Sequence, residues 1–96
     1  MRSVRKSARA ERDLIGIWEY SFEEWNVAQA DKYLDELEET IQLLVRNPEL
    51  GVNRDFVRPG FRVIFVNRHA IYYTVTDTEI YLVRVLHEDM DPARHM

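Results

Sequence analysis

The apolar pattern of this chain changes period once, and that change decides the class of fold it can adopt. Up to Arg46 apolar residues recur at three- and four-residue intervals. From Phe61 onward they come in short dense runs separated by turn-forming residues. The first pattern belongs to helices with one packed face, the second to strands. Ala10, Leu14, Ile17 and Ser21 share one helical face, and Leu14, Trp18, Phe22 and Trp25 an adjacent one. That apolar arc predicts a helix over roughly 8–25, wide enough to touch two neighbours, with Ser7 as its N-cap. Ahead of it, 2–6 reads as a short edge strand whose charges discourage further pairing.

Asn26 and Gln29 resemble a capping box opening a second helix. Its apolar row is Ala30, Tyr33, Leu34, Leu37, Ile41, Leu44 and Val45, with Asp31, Asp35, Glu36, Glu38 and Glu39 on the wet side. Asn47–Pro48 ends it, because a residue before proline disfavours the helical region. So short a connection makes the two helices an antiparallel hairpin. Past a loop closed by Pro59–Gly60, the runs 61–66, 70–76 and 79–86 are joined by Asn67-Arg68-His69 and Asp77-Thr78. Such connectors predict an antiparallel three-stranded meander. The expected fold is α+β: a short N-terminal strand, a helical hairpin, then the meander.

Both faces of that meander read as apolar. Phe61, Val63 and Phe65 point one way, Ile64 and Val66 the other; Tyr81, Val83 and Val85 oppose Ile80, Leu82 and Leu86. The hairpin can cover only one face. The other is expected to be covered from outside the chain or to remain an exposed interaction patch.

Composition narrows the class further. The 96 residues are 46 % hydrophobic and 11 % aromatic, which places them with packed domains rather than disordered chains. Residues 1–96 are therefore read as one domain. The absence of cysteine excludes disulfides and cysteine-ligated zinc. No apolar stretch approaches the roughly 20 residues of a membrane span, and the basic start lacks a secretory signal's apolar segment. The expectation is a cytoplasmic protein. A net charge of −4 conceals a separation. Arg2, Arg5, Lys6, Arg9 and Arg12 crowd the start, acids dominate from Glu23 to Glu39, and Arg46, Arg54, Arg58, Arg62 and Arg68 follow. Separated charge of this kind suits electrostatic steering toward a partner.

The chemistry-bearing residues gather at the end of the last strand. His87, Glu88, Asp89 and Asp91, with His95 beyond, offer metal-ligand atoms. Their spacing fits neither a helical histidine–glutamate motif nor a calcium loop, so neither metal nor cofactor is expected. His87 has the pKa range of a general acid or base, but no nucleophile or orienting partner accompanies it. Arg62, Arg68 and Arg84, with Tyr72, Tyr73 and Tyr81, could hold a nucleic-acid backbone and stack bases. Arg84 is a lone charge amid Leu82, Val83, Val85 and Leu86. It needs a carboxylate partner, from Asp91 or from another chain.

The ordered pieces AERDLIGIWEY (10–20), ADKYLDEL (30–37), NPELG (47–51), PGFR (59–62), RHAIYY (68–73) and RVLHEDMD (84–91) resemble the ParE toxins of the RelE/ParE superfamily. The resemblance runs over nearly the whole chain. It implies a β-αα-βββ fold and a bacterial type II toxin–antitoxin module whose toxin inhibits DNA gyrase by binding, without catalysis. The implied partner is a ParD-like antitoxin, a ribbon-helix-helix DNA-binding segment with a tail that wraps the toxin. Such a tail would cover the second sheet face. Candidate gyrase contacts are Arg84, His87, Met90, Asp91 and Arg94; candidate antitoxin contacts are Trp18, Phe22, Leu37, Phe65 and Tyr73.

The rival is the mRNA-cleaving branch of the same superfamily. Arg62 stands where that branch has a first lysine, but Ile64 replaces the second. Ala70 falls where an arginine is expected, Glu88 near another basic position, and 87–96 contains no tyrosine. Phosphate chemistry needs positive charge at the developing oxyanion, whereas this corner gathers acids.

Overall fold

Ser7 is the hinge on which the architecture turns. In the computed structural model, which describes residues 1–96, it closes strand β1 (Ser3–Lys6) and opens helix α1 (Ala8–Glu24). Its hydroxyl oxygen accepts from the Ala10 N–H at 2.9 Å, the expected N-cap, and its own O–H donates to the Val83 carbonyl at 2.7 Å. One residue thus starts the helix and fastens that start to the sheet.

Helix α2 (Val27–Arg46) follows after a break at Trp25 and Asn26, whose side chain accepts from the Gln29 N–H at 2.9 Å. Only this half of the expected capping box forms. Then come β2 (Val52–Asn53), β3 (Arg62–Val66), β4 (His69–Val75), β5 (Glu79–His87) and a last turn α3 (Pro92–His95). The strand order is β1-β5-β4-β3-β2. β3, β4 and β5 form the predicted antiparallel meander, while β1 joins β5 in parallel at one edge. β2 and α3 are additions to the expected plan. Each is too short for a periodic pattern to announce it. His69, expected in the turn, begins β4 instead. Asn67 takes a positive φ of 54°, a conformation that asparagine tolerates better than most residues.

Both helices lie on one sheet face. Ala10, Leu14, Leu37, Ile41 and Leu44 pack there against Ile71, Tyr73, Ile80, Leu82 and Val85. Tyr73 ties this core to the NPELG loop: its O–H donates to the Pro48 carbonyl and accepts from the Gly51 N–H, both at 2.8 Å. A Cβ on Gly51 would fall 2.5 Å from the Tyr73 hydroxyl and 2.9 Å from the Val63 carbonyl. That close approach is what requires glycine there.

The strand faces differ from simple alternation because β5 carries a bulge. Tyr72 pairs with Arg84 but Tyr73 with Leu82, leaving Val83 as the extra residue. An extra residue reverses the alternation beyond it. Val85 therefore joins Ile80 and Leu82 under the helices, and Leu86 goes to the other face. That second face is not bare. Phe61, Val63, Ala70, Tyr72 and Leu86 form a smaller cluster, with Val57 and Met96 of the same chain packed on it. The apolar side chains left open on it are Phe65, 55 % exposed, and Val52, which pairs with Val63 and is 56 % exposed.

Candidate functional site

Beyond the bulge, β5 outruns β1. The parallel pairing stops at Lys6 and Leu82, so the strand edge from Val83 onward has no neighbouring strand. Helix α1 fills the gap with one side chain. The Asp13 carboxylate accepts from the Val85 N–H at 2.9 Å, as a partner strand would. It also receives the Arg84 guanidinium in a two-pronged pair at 2.8 and 2.9 Å. Arg84 makes a further bond to the His95 carbonyl, drawing the C-terminal turn onto the same corner. Both side chains are only 15 % exposed, and the Asp13 hydrogen bond holds Arg84 above its ordinary pKa. The carboxylate that the sequence left to Asp91 or to another chain is therefore Asp13. Arg84 is a clamp between α1, β5 and α3, with its charge already answered.

Next to this clamp the flank of α1 and the ends of β4 and β5 enclose a groove of about 700 Å³. His69 and His87, paired across the strands, set their rings 5.5 Å apart edge-on. The Tyr33 hydroxyl lies 2.6 Å from His69 Nδ1. Burial, and then the neighbouring His87, hold His69 below the ordinary histidine range, while burial raises Tyr33. The two groups share one hydrogen bond, whose donor is set by the tautomer of the His69 ring. His87 stands at the rim, where its Nδ1 accepts from the Asp89 N–H at 3.2 Å. No three His, Asp or Glu side chains converge as metal ligands do.

A second cavity of about 330 Å³ opens on the other side of Arg84, lined by Arg9, Arg12, Asp13, Arg84, Arg94 and His95. It shares Arg12, Asp13, Arg84 and His95 with the groove, so the two are neighbours across those side chains.

The sequence-derived target contacts are thus brought close together. Arg84, His87 and Met90 line the groove and Arg94 the adjoining cavity, whereas Asp91 serves as N-cap of α3, accepting from the Ala93 N–H. The antitoxin candidates split. Trp18 and Phe22 stack on α1 with ring centroids 5.4 Å apart. Phe65 is exposed on the opposite sheet face. Leu37 and Tyr73 have no exposed surface and belong to the core. They fall out as contacts because their faces are the ones that close the helix–sheet interior. Asp13, Tyr33 and His69 were missed in the sequence. Asp13 had a signal, a charge between Ala10 and Ile17 on the packed arc of α1. His69 and Tyr33 had none, because nothing in the order of residues shows that α2 will cross the start of β4.

The strand–hairpin–meander architecture is the one that the resemblance to the RelE/ParE superfamily implied. A profile of the family described as "ParE toxin of type II toxin-antitoxin system, parDE" matches residues 4–92. The "Toxin ParE1" of Mycobacterium tuberculosis is 38 % identical over 91 residues, covering 94 % of this chain and 93 % of that protein. The "Toxin ParE1" of Caulobacter vibrioides is 35 % identical over 96 residues, covering 100 % and 99 %. This chain belongs to the ParE toxin family. Among solved structures, "Chromosomal ParDE TA system from P. aeruginosa" superposes with a TM-score of 0.79 at 21 % identity, covering 91 % of this chain and 96 % of that one. The YoeB dimer from Staphylococcus aureus superposes with a TM-score of 0.62 at 19 % identity, covering 90 % and 95 %. These last two show a shared fold.

Proposed function

We propose that this toxin acts by binding DNA gyrase rather than by catalysis, and that a ParD-like antitoxin neutralises it in the cytoplasm. The observation that carries the non-catalytic reading is the state of the positions where the mRNA-cleaving branch keeps its cations. Arg62 donates to the Gly51 carbonyl at 2.8 Å and is occupied in holding the NPELG loop. Ile64 packs against the helix-face core, Ala70 is buried, and Glu88 pairs with Arg68 at 3.3 Å. No cationic cradle for a scissile phosphate remains among them. The exposed target contacts are then His87, Met90 and Arg94, with Arg84 and Asp91 shaping the corner that presents them.

For the antitoxin, the supporting feature is a groove of about 530 Å³ beside α1, lined by apolar Leu14, Ile15, Trp18 and Leu34 and by Glu11 and Glu19, with Glu38 already paired to Lys6 at 2.8 Å. Apolar and acidic lining together suit an amphipathic segment with basic flanks, which would fold on docking. Phe22 extends this surface, and Phe65 offers a separate contact for a wrapping tail.

The His69–His87 pair is the one observation that favours the rival, a ribosome-dependent mRNA endonuclease. A supercoiling assay with purified gyrase separates the two. The expected result is toxin-dependent loss of supercoiling, abolished by Met90→Ala/Arg94→Gln. Intact supercoiling together with toxin-dependent mRNA cuts in a translating lysate would select the nuclease instead. For the antitoxin, the expected result is a toxin that is poorly soluble alone and rescued by co-expression with its antitoxin.

A further inference from the structure

The clamp explains Arg84, and Arg94 is among the proposed target contacts, but Arg9 and Arg12 have no role yet. Four guanidiniums and one carboxylate line the 330 Å³ cavity. That carboxylate, Asp13, already accepts from Arg84 and from the Val85 N–H. Arg9 and Arg12 make no side-chain hydrogen bond or ion pair within the chain, and Arg94 reaches only Asp91, at 4.0 Å. Crowding cations into a concavity costs energy unless an anion is to be received there. The chain as a whole carries −4, so this is a local site and not part of a generally basic surface.

The shape indicates the kind of anion. A lone carboxylate is satisfied by one guanidinium fork, whereas a phosphate ester presents several oxygens to several forks. Arg12 and Arg84 also line the neighbouring groove, where Tyr20 and Trp25 are 61 % and 62 % exposed beside Ile17 and His69. Exposed aromatic rings next to a phosphate-sized cationic pocket are what a nucleotide uses, its base stacking while its phosphate is gripped.

We propose that this corner is a nucleotide-binding site, with the phosphate among Arg9, Arg12 and Arg94, the base against Tyr20, and Trp25 further along the same groove. The site takes either a free nucleotide or an unpaired nucleotide of a strand, since both present the same chemistry. It shares Arg94 with the proposed gyrase contact, but its test contains no gyrase, so the two readings can fail separately.

The test uses the full chain carrying Trp18→Phe, which leaves Trp25 as the sole indole. Its fluorescence is titrated with AMP, inorganic phosphate, adenosine, a short oligodeoxythymidylate and an oligoglutamate. The expected result is saturable quenching by AMP, with affinity about ten-fold above that for phosphate or adenosine alone, because two linked contacts act together. Arg9→Gln/Arg12→Gln is expected to weaken AMP by about ten-fold or more, as loss of charge-assisted bonds requires. Both residues are exposed and unpaired, so the fold stays intact, which circular dichroism checks. Arg58→Gln, remote from the cavity, leaves binding unchanged. An oligonucleotide tighter than AMP identifies a strand as the source, and equal affinities identify a free nucleotide. The proposal is overturned by any of three results: no saturable binding, AMP no tighter than phosphate, or oligoglutamate binding as well as AMP. Equal weakening by Arg58→Gln would overturn it as well.

Discussion

Helix α1 presents two flanks of opposite chemistry. Toward α2, Leu14, Ile15 and Trp18 make an apolar lining flanked by glutamates; toward the end of β5, Arg9 and Arg12 face a cationic cavity. The two flanks share one helix but differ in how they are held. The apolar flank rests on the main core through Leu14. The cationic flank depends on a single polar clamp, Asp13 with Arg84 and the Val85 N–H. A toxin built this way can be gripped by a neutralising partner on one side while a different contact forms on the other. Occupying one flank need not distort the other, because the helix between them is fixed by the sheet.

The largest effect should come from removing the clamp. Asp13→Ala leaves the Arg84 charge with only the His95 carbonyl and the Val85 N–H with no partner, at a cost of about 3 kcal/mol, the low end for a broken buried pair, because both side chains keep some exposure. Urea unfolding measures it. The double variant Asp13→Leu/Arg84→Met should recover much of that loss, since no uncompensated charge then remains. If the single and double variants are equally unstable, the clamp is packing and not electrostatics, and the contrast between the flanks weakens.

Gly51→Ala supplies the control that touches neither flank. Its new methyl meets the Tyr73 hydroxyl and the Val63 carbonyl, and overpacking of this kind costs about 1–3 kcal/mol. The expected outcome is a lower urea midpoint with antitoxin affinity and nucleotide binding unchanged under conditions where the chain is still folded. Loss of either activity in parallel with stability would mean that the flanks are coupled through the core.

How much of this was legible in the sequence follows from the range over which each signal acts. Helix starts at Ser7 and Asn26, the helix end at Asn47–Pro48 and the meander depend on neighbours within a few residues, and they appear where the pattern put them. The face assignment of β5 failed at Val83, because a bulge belongs to the pairing of β5 with β4 and not to the order of residues along β5. Leu37 and Tyr73 could not be told from interface residues, because both are apolar or aromatic on amphipathic elements. Only the assembled layers show which side closes. Asp13 is the opposite case. A carboxylate on a packed arc and an arginine in an apolar strand were each visible, but not that they meet.

Trp18→Ala tests the apolar flank by itself. Large aromatic side chains in grooves typically account for about 2 kcal/mol or more of binding, so antitoxin affinity measured by calorimetry should fall at least about thirty-fold. Nucleotide binding and gyrase inhibition should persist, since Trp18 lines neither the cationic cavity nor the groove beside it. A variant that lost all three would place both functions on one surface and remove the distinction between the flanks.

The smallest effect concerns acid. His69 in the folded chain is held below the ordinary histidine value of 6.5, first by burial and then by His87, with Glu88 and Asp13 opposing. The unfolded chain therefore takes up this proton first. Stability is complete above about pH 6.5 and declines as the pH falls through the lower folded pKa. His69→Gln keeps a hydrogen-bond partner for the Tyr33 hydroxyl but removes the titration, so its urea midpoint should fall less between pH 7 and pH 5 than that of the parent chain. An unchanged slope would mean that the ring is protonated without penalty.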